Sequence, residues 1–210
     1  MNRADPHGAQ AAQRRGPDPA AARVCAVLVH GRGSSAADIL SLADELALAD
    51  VSYVAPDAAG HTWYPYSFLQ PVERNQPHLD SALAFLDRVV GRMEQAGVPA
   101  ARIALVGFSQ GACLALEYAA RRARRYAAVV GFSGGLIGPP GTPREFEGSL
   151  DGTPVFLGCS NVDPHVPVER VHETAEVLRG LGAVVDERIY PGMGHVVNDE
   201  EIAVLRELLG

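Results

Sequence analysis

Residues 107 to 111 read Gly-Phe-Ser-Gln-Gly, directly after the apolar run Ile103-Ala104-Leu105-Val106 and directly before the apolar segment Ala112 to Ala120. A strand that turns at once into a helix crowds its own corner. Glycines on both flanks avoid collisions with neighbouring chain, and the serine between them is held in a strained conformation with its hydroxyl exposed. Behind the corner, Gly111, Ala115 and Ala119 make a stripe of small residues that lets the helix lie close to a sheet and aims its positive end at Ser109. The rest of the chain supplies that sheet. Short runs rich in β-branched residues, Val24 to Val29, Val51 to Ala55, Arg102 to Gly107, Tyr126 to Gly131, Pro154 to Cys159 and Val184 to Tyr190, alternate with helical patterns. That alternation predicts an α/β fold of six parallel strands with crossover helices.

Two helices are marked clearly. Leu79, Leu83, Leu86, Val90 and Met93 recur at helical spacing between Pro77 and Gly97, and Asn198 with Glu201 three residues on resembles a capping box ahead of Ile202, Leu205 and Leu209. With 210 residues, 47% of them hydrophobic, one domain over 23–210 is expected. Residues 1–22, rich in Ala, Pro, Gly, Gln and Arg without a usable period, are expected to be a disordered tail. The formal charge of −7 argues against nucleic acid as a partner, because phosphate contacts need a basic face; the run Arg121, Arg122, Arg124, Arg125 reads as the cationic end of a helix. Cys25, Cys113 and Cys159 form no metal or redox spacing, and no apolar stretch suits membrane insertion or a secretion signal. A cytoplasmic protein is expected, and a homodimer is left open.

A serine hydroxyl needs a base to take its proton, and that base must itself be held in one tautomer. In parallel α/β sheets reactive groups gather beyond the carboxyl ends of the strands. His195, in the turn after Val184 to Tyr190, meets that condition; His172 falls within a helix and His7 in the tail. Of the ten carboxylates between Ser109 and His195, Asp163 alone closely follows a strand end. Ser109, Asp163 and His195 are therefore the candidate nucleophile, orienting acid and base, in the order Ser, Asp, His. The backbone amides of Gln110 and Arg32 are the candidate oxyanion donors, the latter in the loop His30-Gly31-Arg32-Gly33. His30 is expected to stabilise that loop. The aromatic connection 56–76, together with the loops after the strands, offers Trp63, Tyr64, Phe68, His165 and Met193 as candidate pocket residues.

Through His30-Gly31-Arg32-Gly33, Gly107-Phe108-Ser109-Gln110-Gly111, Asp163 followed by Val166-Pro167, and Gly194-His195, the chain resembles the phospholipase/carboxylesterase family of α/β-hydrolases, which includes acyl-protein thioesterase-like enzymes. The likeness covers roughly Val24 to the C-terminus. It implies an α/β-hydrolase fold with helices on both faces of a mainly parallel sheet, little or no cap domain, no metal and no organic cofactor. The implied activity is hydrolysis of a small-molecule carboxylic ester with a small or short-to-medium acyl group; thioesters, lysophospholipids and lactones stay open. Arg32 stands where many thioesterase-like members carry an apolar residue, and a guanidinium at a pocket mouth is expected to favour a polar or acidic group. Ala112 replaces a frequent glycine. Two other classes compete: a dinucleotide-binding oxidoreductase using Gly31 to Ala36 as G-x-G-x-x-A with Asp57 as ribose ligand, and a non-catalytic binder of a small acid or ester.

Overall fold

The apolar runs become the centre of one sheet. In the computed structural model, which describes residues 5–210, the strands are β1 (Ala12–Arg15), β2 (Val24–Val29), β3 (Val51–Pro56), β4 (Ile103–Phe108), β5 (Ala128–Phe132), β6 (Pro154–Ser160) and β7 (Val184–Tyr190). The helices are α1 (Ala36–Ile39), α2 (Ser41–Leu46), α3 (His78–Gln95), α4 (Gln110–Arg121), α5 (Val168–Gly180) and α6 (Asp199–Leu209). Spatial order is β1-β3-β2-β4-β5-β6-β7, with every pairing parallel except that of β1 with β3.

Alternation along the strands divides the core in two. Val27, Val29 and Leu105 face a layer built from α3, α4 and α5, whereas Ala26, Leu28 and Val106 face α1, α2 and α6. Both faces are covered, which is why β2 and β4 read as continuous apolar runs. Each large aliphatic side chain buried there contributes about 1.5 to 3 kcal/mol relative to exposure. Asn198 and Glu201 form the expected capping box, the Asn198 side chain accepting from the Glu201 amide at 2.9 Å and the Glu201 carboxylate from the Asn198 amide at 2.9 Å. Among the described residues, no helix is long and apolar enough to cross a membrane.

The expected disordered tail over 1–22 is the main departure. Residues 1–4 lie outside the described residues, but from Asp5 onward the segment is fastened to the sheet. β1 pairs Ala12 to Arg15 with Pro56 to Tyr53, adding a seventh, antiparallel strand to the six expected. His7 is fully buried: its Nδ1 accepts from the Ala59 amide at 3.1 Å, its Nε2 donates to the Trp63 carbonyl at 2.9 Å, and its amide donates to Ser81 Oγ at 2.8 Å. Low hydrophobicity hid these attachments because they are polar and reach partners far along the chain. A smaller difference is that β5 begins at Ala128, since the Tyr126 amide donates instead to Thr153 Oγ1.

Candidate active site

The parallel strands all end on one edge, and β2, β4, β6 and β7 each release a loop there. At the end of β4, Ser109 has φ 55° and ψ −119°. The flanking glycines are sterically required: a Cβ on Gly107 would lie 2.4 Å from the Gly111 carbonyl oxygen, and one on Gly111 only 2.0 Å from that of Val29. Thus β2, β4 and α4 press together at the corner and hold the hydroxyl outward. After β6, Asp163 sits with its side chain fully buried; Oδ1 accepts from the amides of His165 (2.8 Å) and Val166 (3.0 Å). After β7, the turn bearing His195 is tied to the Asp163 loop by Asn161, whose side chain accepts from the Gly192 amide at 2.8 Å.

These loops meet. His195 Nδ1 lies 2.7 Å from Asp163 Oδ2, and its Nε2 lies 2.8 Å from Ser109 Oγ. A carboxylate can only accept, so Nδ1 carries the proton and Nε2 is left to accept from the serine hydroxyl. The imidazole is held between the Phe108 ring, at 5.0 Å, and the His165 ring, at 4.8 Å. Burial works against the Asp163 charge, but the hydrogen bonds from His195 and from the His165 and Val166 amides outweigh it, so the carboxyl stays below its usual range. An ionised acid behind a neutral imidazole can orient that ring and stabilise it once protonated.

The His30 to Gly33 loop abuts the serine: a Cβ on Gly31 would stand 3.5 Å from Ser109 Cβ. Among the described residues, neither the Arg32 amide nor the Gln110 amide donates a hydrogen bond to another protein group, leaving two backbone donors free beside Ser109. His30 holds the loop, with Nδ1 donating to the Gly31 carbonyl at 2.7 Å and Nε2 accepting from the Ala58 amide at 3.1 Å. Burial lowers its pKa and keeps it neutral. His61 assists from outside, donating to the Ser34 carbonyl at 3.0 Å.

A cavity of about 590 Å³ opens at Ser109, lined among others by Tyr64, Phe68, Phe108, Cys113, His165 and His195. Two expected pocket residues are elsewhere. Trp63 is fully buried behind the wall, its indole donating to the His30 carbonyl at 2.8 Å. Met193 does not line the cavity; its sulfur faces Asn198 Nδ2 at 3.0 Å.

The expected role of the Arg32 guanidinium also changes. Arg32 lines the cavity, but its nitrogens donate to Thr62 Oγ1 and to the carbonyls of Tyr64, Pro65 and Tyr66 at 2.9 to 3.0 Å, so these donors clamp the aromatic loop and are not free for substrate. Gln110 helps through its side chain, which accepts from the Trp63 amide at 2.8 Å and donates to the Tyr64 carbonyl at 2.8 Å. The sequence reading used only the backbone amide of Gln110 and gave the Arg32 side chain to substrate; two polar side chains beside an aromatic loop were the available signal for the clamp. Asp57, the ribose ligand of the dinucleotide reading, accepts instead from the Ala36 amide at 3.0 Å, at the start of α1.

Comparison with known proteins agrees with this architecture. A family model described as Phospholipase/Carboxylesterase matches residues 16–210. The crystal structure of a phospholipase/carboxylesterase from Dyadobacter fermentans DSM 18053 is 43% identical, covers 96% of this chain and 97% of its own, and superposes with a TM-score of 0.93. That of esterase PE8 is 26% identical over 95% of this chain and 97% of its own, with a TM-score of 0.77. Acyl-protein thioesterase 1 of Yarrowia lipolytica is 26% identical over 89% of this chain and 91% of its own. The match to acyl-protein thioesterase 1 of Gibberella zeae is 34% identical over 50% of this chain and 46% of that protein. The chain spans about half the length of the first curated relatives it matches.

Proposed function

The chain belongs to the phospholipase/carboxylesterase family, and on that premise we propose that it is a serine hydrolase that cleaves carboxylic esters through an acyl-enzyme on Ser109. The observation that carries this reading is the unbroken relay from Asp163 Oδ2 through His195 to Ser109 Oγ, at 2.7 and 2.8 Å. Ser109 Oγ attacks the ester carbonyl while His195 Nε2 takes its proton. The charge that develops on the carbonyl oxygen is met by the amides of Arg32 and Gln110, each worth about 3 to 4 kcal/mol in a preorganised site. As the intermediate collapses, His195 returns its proton to the departing alkoxide and the acyl group remains on Ser109. Water then repeats the sequence: His195 takes its proton as the water oxygen adds to the acyl carbonyl, and as that intermediate collapses His195 returns the proton to Ser109 Oγ and the carboxylic acid leaves.

The cavity volume of about 590 Å³ suits small or short-to-medium acyl groups. Thioester hydrolysis on the same residues is the second reading, favoured by the acyl-protein thioesterase relatives. A cytoplasmic location completes the proposal and rests on three buried cysteines that are not disulfide-bonded. A panel of 4-nitrophenyl esters, beside thioesters of matched acyl length, tests the assignment. The highest kcat/KM is expected for short-to-medium acyl esters. A large preference for the thioesters would move the assignment to the second reading, and turnover of neither would remove both.

A further inference from the structure

The proposed chemistry gives no role to Cys113 and Tyr64, two buried residues that line the cavity. Cys113 follows Ser109 by one turn of α4, ~6 Å along the helix axis, and both line the cavity with Tyr64 and Phe68. Tyr64 is 1% exposed. Burial raises its phenol well above the usual range, so the hydroxyl is a neutral donor, and it lies beside the Cys113 thiol. Among the described residues the hydroxyl has no hydrogen bond of ordinary geometry, and the Cys113 sulfur beside it is only a weak acceptor. Nearby polar groups are committed elsewhere: Arg170 Nη1 donates to the carbonyls of Leu136 and Gly138, both at 2.6 Å, and Glu117 Oε2 accepts from the Ile137 amide at 3.0 Å. The Cys113 sulfur faces the Gly135 amide at 3.5 Å, and burial pushes the thiol up to about 12, so it too is uncharged.

A buried donor left with only a weak thiol acceptor is costly, and a ligand that supplies an oxygen acceptor recovers that cost. The acyl half of the ester is the half that can reach it. The alcohol must leave on the side where His195 protonates it, whereas the acyl group stays on Ser109 and needs the sheltered space. We propose that Tyr64 is a specificity-determining residue whose hydroxyl donates to a neutral oxygen on the acyl chain, roughly one helical turn from Ser109, so that oxygenated short-to-medium acyl esters are preferred over plain hydrocarbon ones. The acceptor is a ketone, hydroxyl or ether rather than a carboxylate, because the nearby Nη donors of Arg32 and Nη1 of Arg170 are already bonded to protein oxygens, and Arg170 is also paired with Glu173, so a buried anion would find none of these donors free. This inference rests on the serine-hydrolase reading of the same site.

The test uses 4-nitrophenyl pentanoate and 4-nitrophenyl 4-oxopentanoate, whose acyl chains differ at one position, with the wild type and Tyr64→Phe. The substitution is expected to lower the ratio of kcat/KM for the oxo ester over the pentanoate by about tenfold, whatever it does to the pentanoate alone. Equal ratios in the two proteins overturn the inference. Should the variant fail to fold, the wild type decides alone: divided by the hydroxide rate of each ester, its kcat/KM should favour the oxo ester by about tenfold, and parity overturns the inference. Turnover of pentanoate without that preference removes only the role of Tyr64; turnover of neither ester removes the hydrolase reading and this inference with it.

Discussion

The corner at Ser109 and the aromatic loop 56–76 both line one cavity, and they are held by different means. The corner is fixed by backbone sterics: Gly107 and Gly111 are present because no Cβ fits between β2, β4 and α4. The aromatic loop is fixed by polar side chains borrowed from elsewhere, with Arg32 donating to four of its oxygens, Gln110 bonded to Trp63 and Tyr64, and His7 joining Ala59 to Trp63. One wall is local and rigid. The other depends on contacts that can be removed one at a time, so shape on the acyl side should be adjustable without disturbing the chemistry.

The largest effect should come from the corner. Ser109→Ala is expected to lower kcat by about a thousandfold or more with an unchanged melting temperature; steady-state kinetics and calorimetry check it, and retention of activity would detach the corner from the chemistry. On the other face of the sheet, a pH effect is expected at Glu201 of α6, whose Oε1 has no partner among the described residues and lies 2.0 Å from where a Cβ on Gly158 would be. Burial pushes this carboxyl up from 4.5 to about 7, against the bond from the Asn198 amide. Between those values the folded protein holds a proton that the unfolded chain has lost, so stability falls as pH rises through the window and levels above it. Relative to Glu201→Gln, the wild type should lose about 3 kcal/mol between pH 5 and 8. His7, lowered from 6.5 chiefly by burial, acts in the opposite direction, but it is common to both proteins. Urea midpoints that move in parallel would remove the Glu201 contribution.

The aromatic wall should respond more weakly. His7→Ala leaves the Ala59 amide and the Trp63 carbonyl without partners and should cost about 2 kcal/mol in urea unfolding, while kcat under folding conditions stays close to wild type. Arg32→Lys keeps the charge but cannot fork to four acceptors. A fall of about tenfold in kcat/KM for the 4-nitrophenyl esters is expected, and an unaltered value would mean that the loop keeps its shape without the clamp.

The same contrast explains what the sequence made legible. The corner announces itself because sterics demand glycines at fixed places around Ser109. Asp163 and His195 could be assigned to the same sheet edge because each closely follows a strand, and strand ends are readable from β-branched runs. The aromatic wall could not be read in this way. Trp63 looked like a pocket residue and is buried behind the pocket; Met193 looked close and lies to one side; Arg32 stands at the cavity as expected, but its donors are spent on clamping the loop. His7 and β1 were hidden in a segment whose composition suggests disorder, since a buried histidine with polar partners and a short edge strand leave no apolar period. Local necessity marks a sequence, whereas polar attachment across the fold does not.

Labelling by a fluorophosphonate, with the adduct mapped by mass spectrometry, tests activation of the serine before any substrate is known. The account predicts one adduct, on Ser109, formed rapidly by the wild type and far more slowly by His195→Ala. A folded wild type that remains unlabelled, or that carries the adduct on another residue, would contradict it.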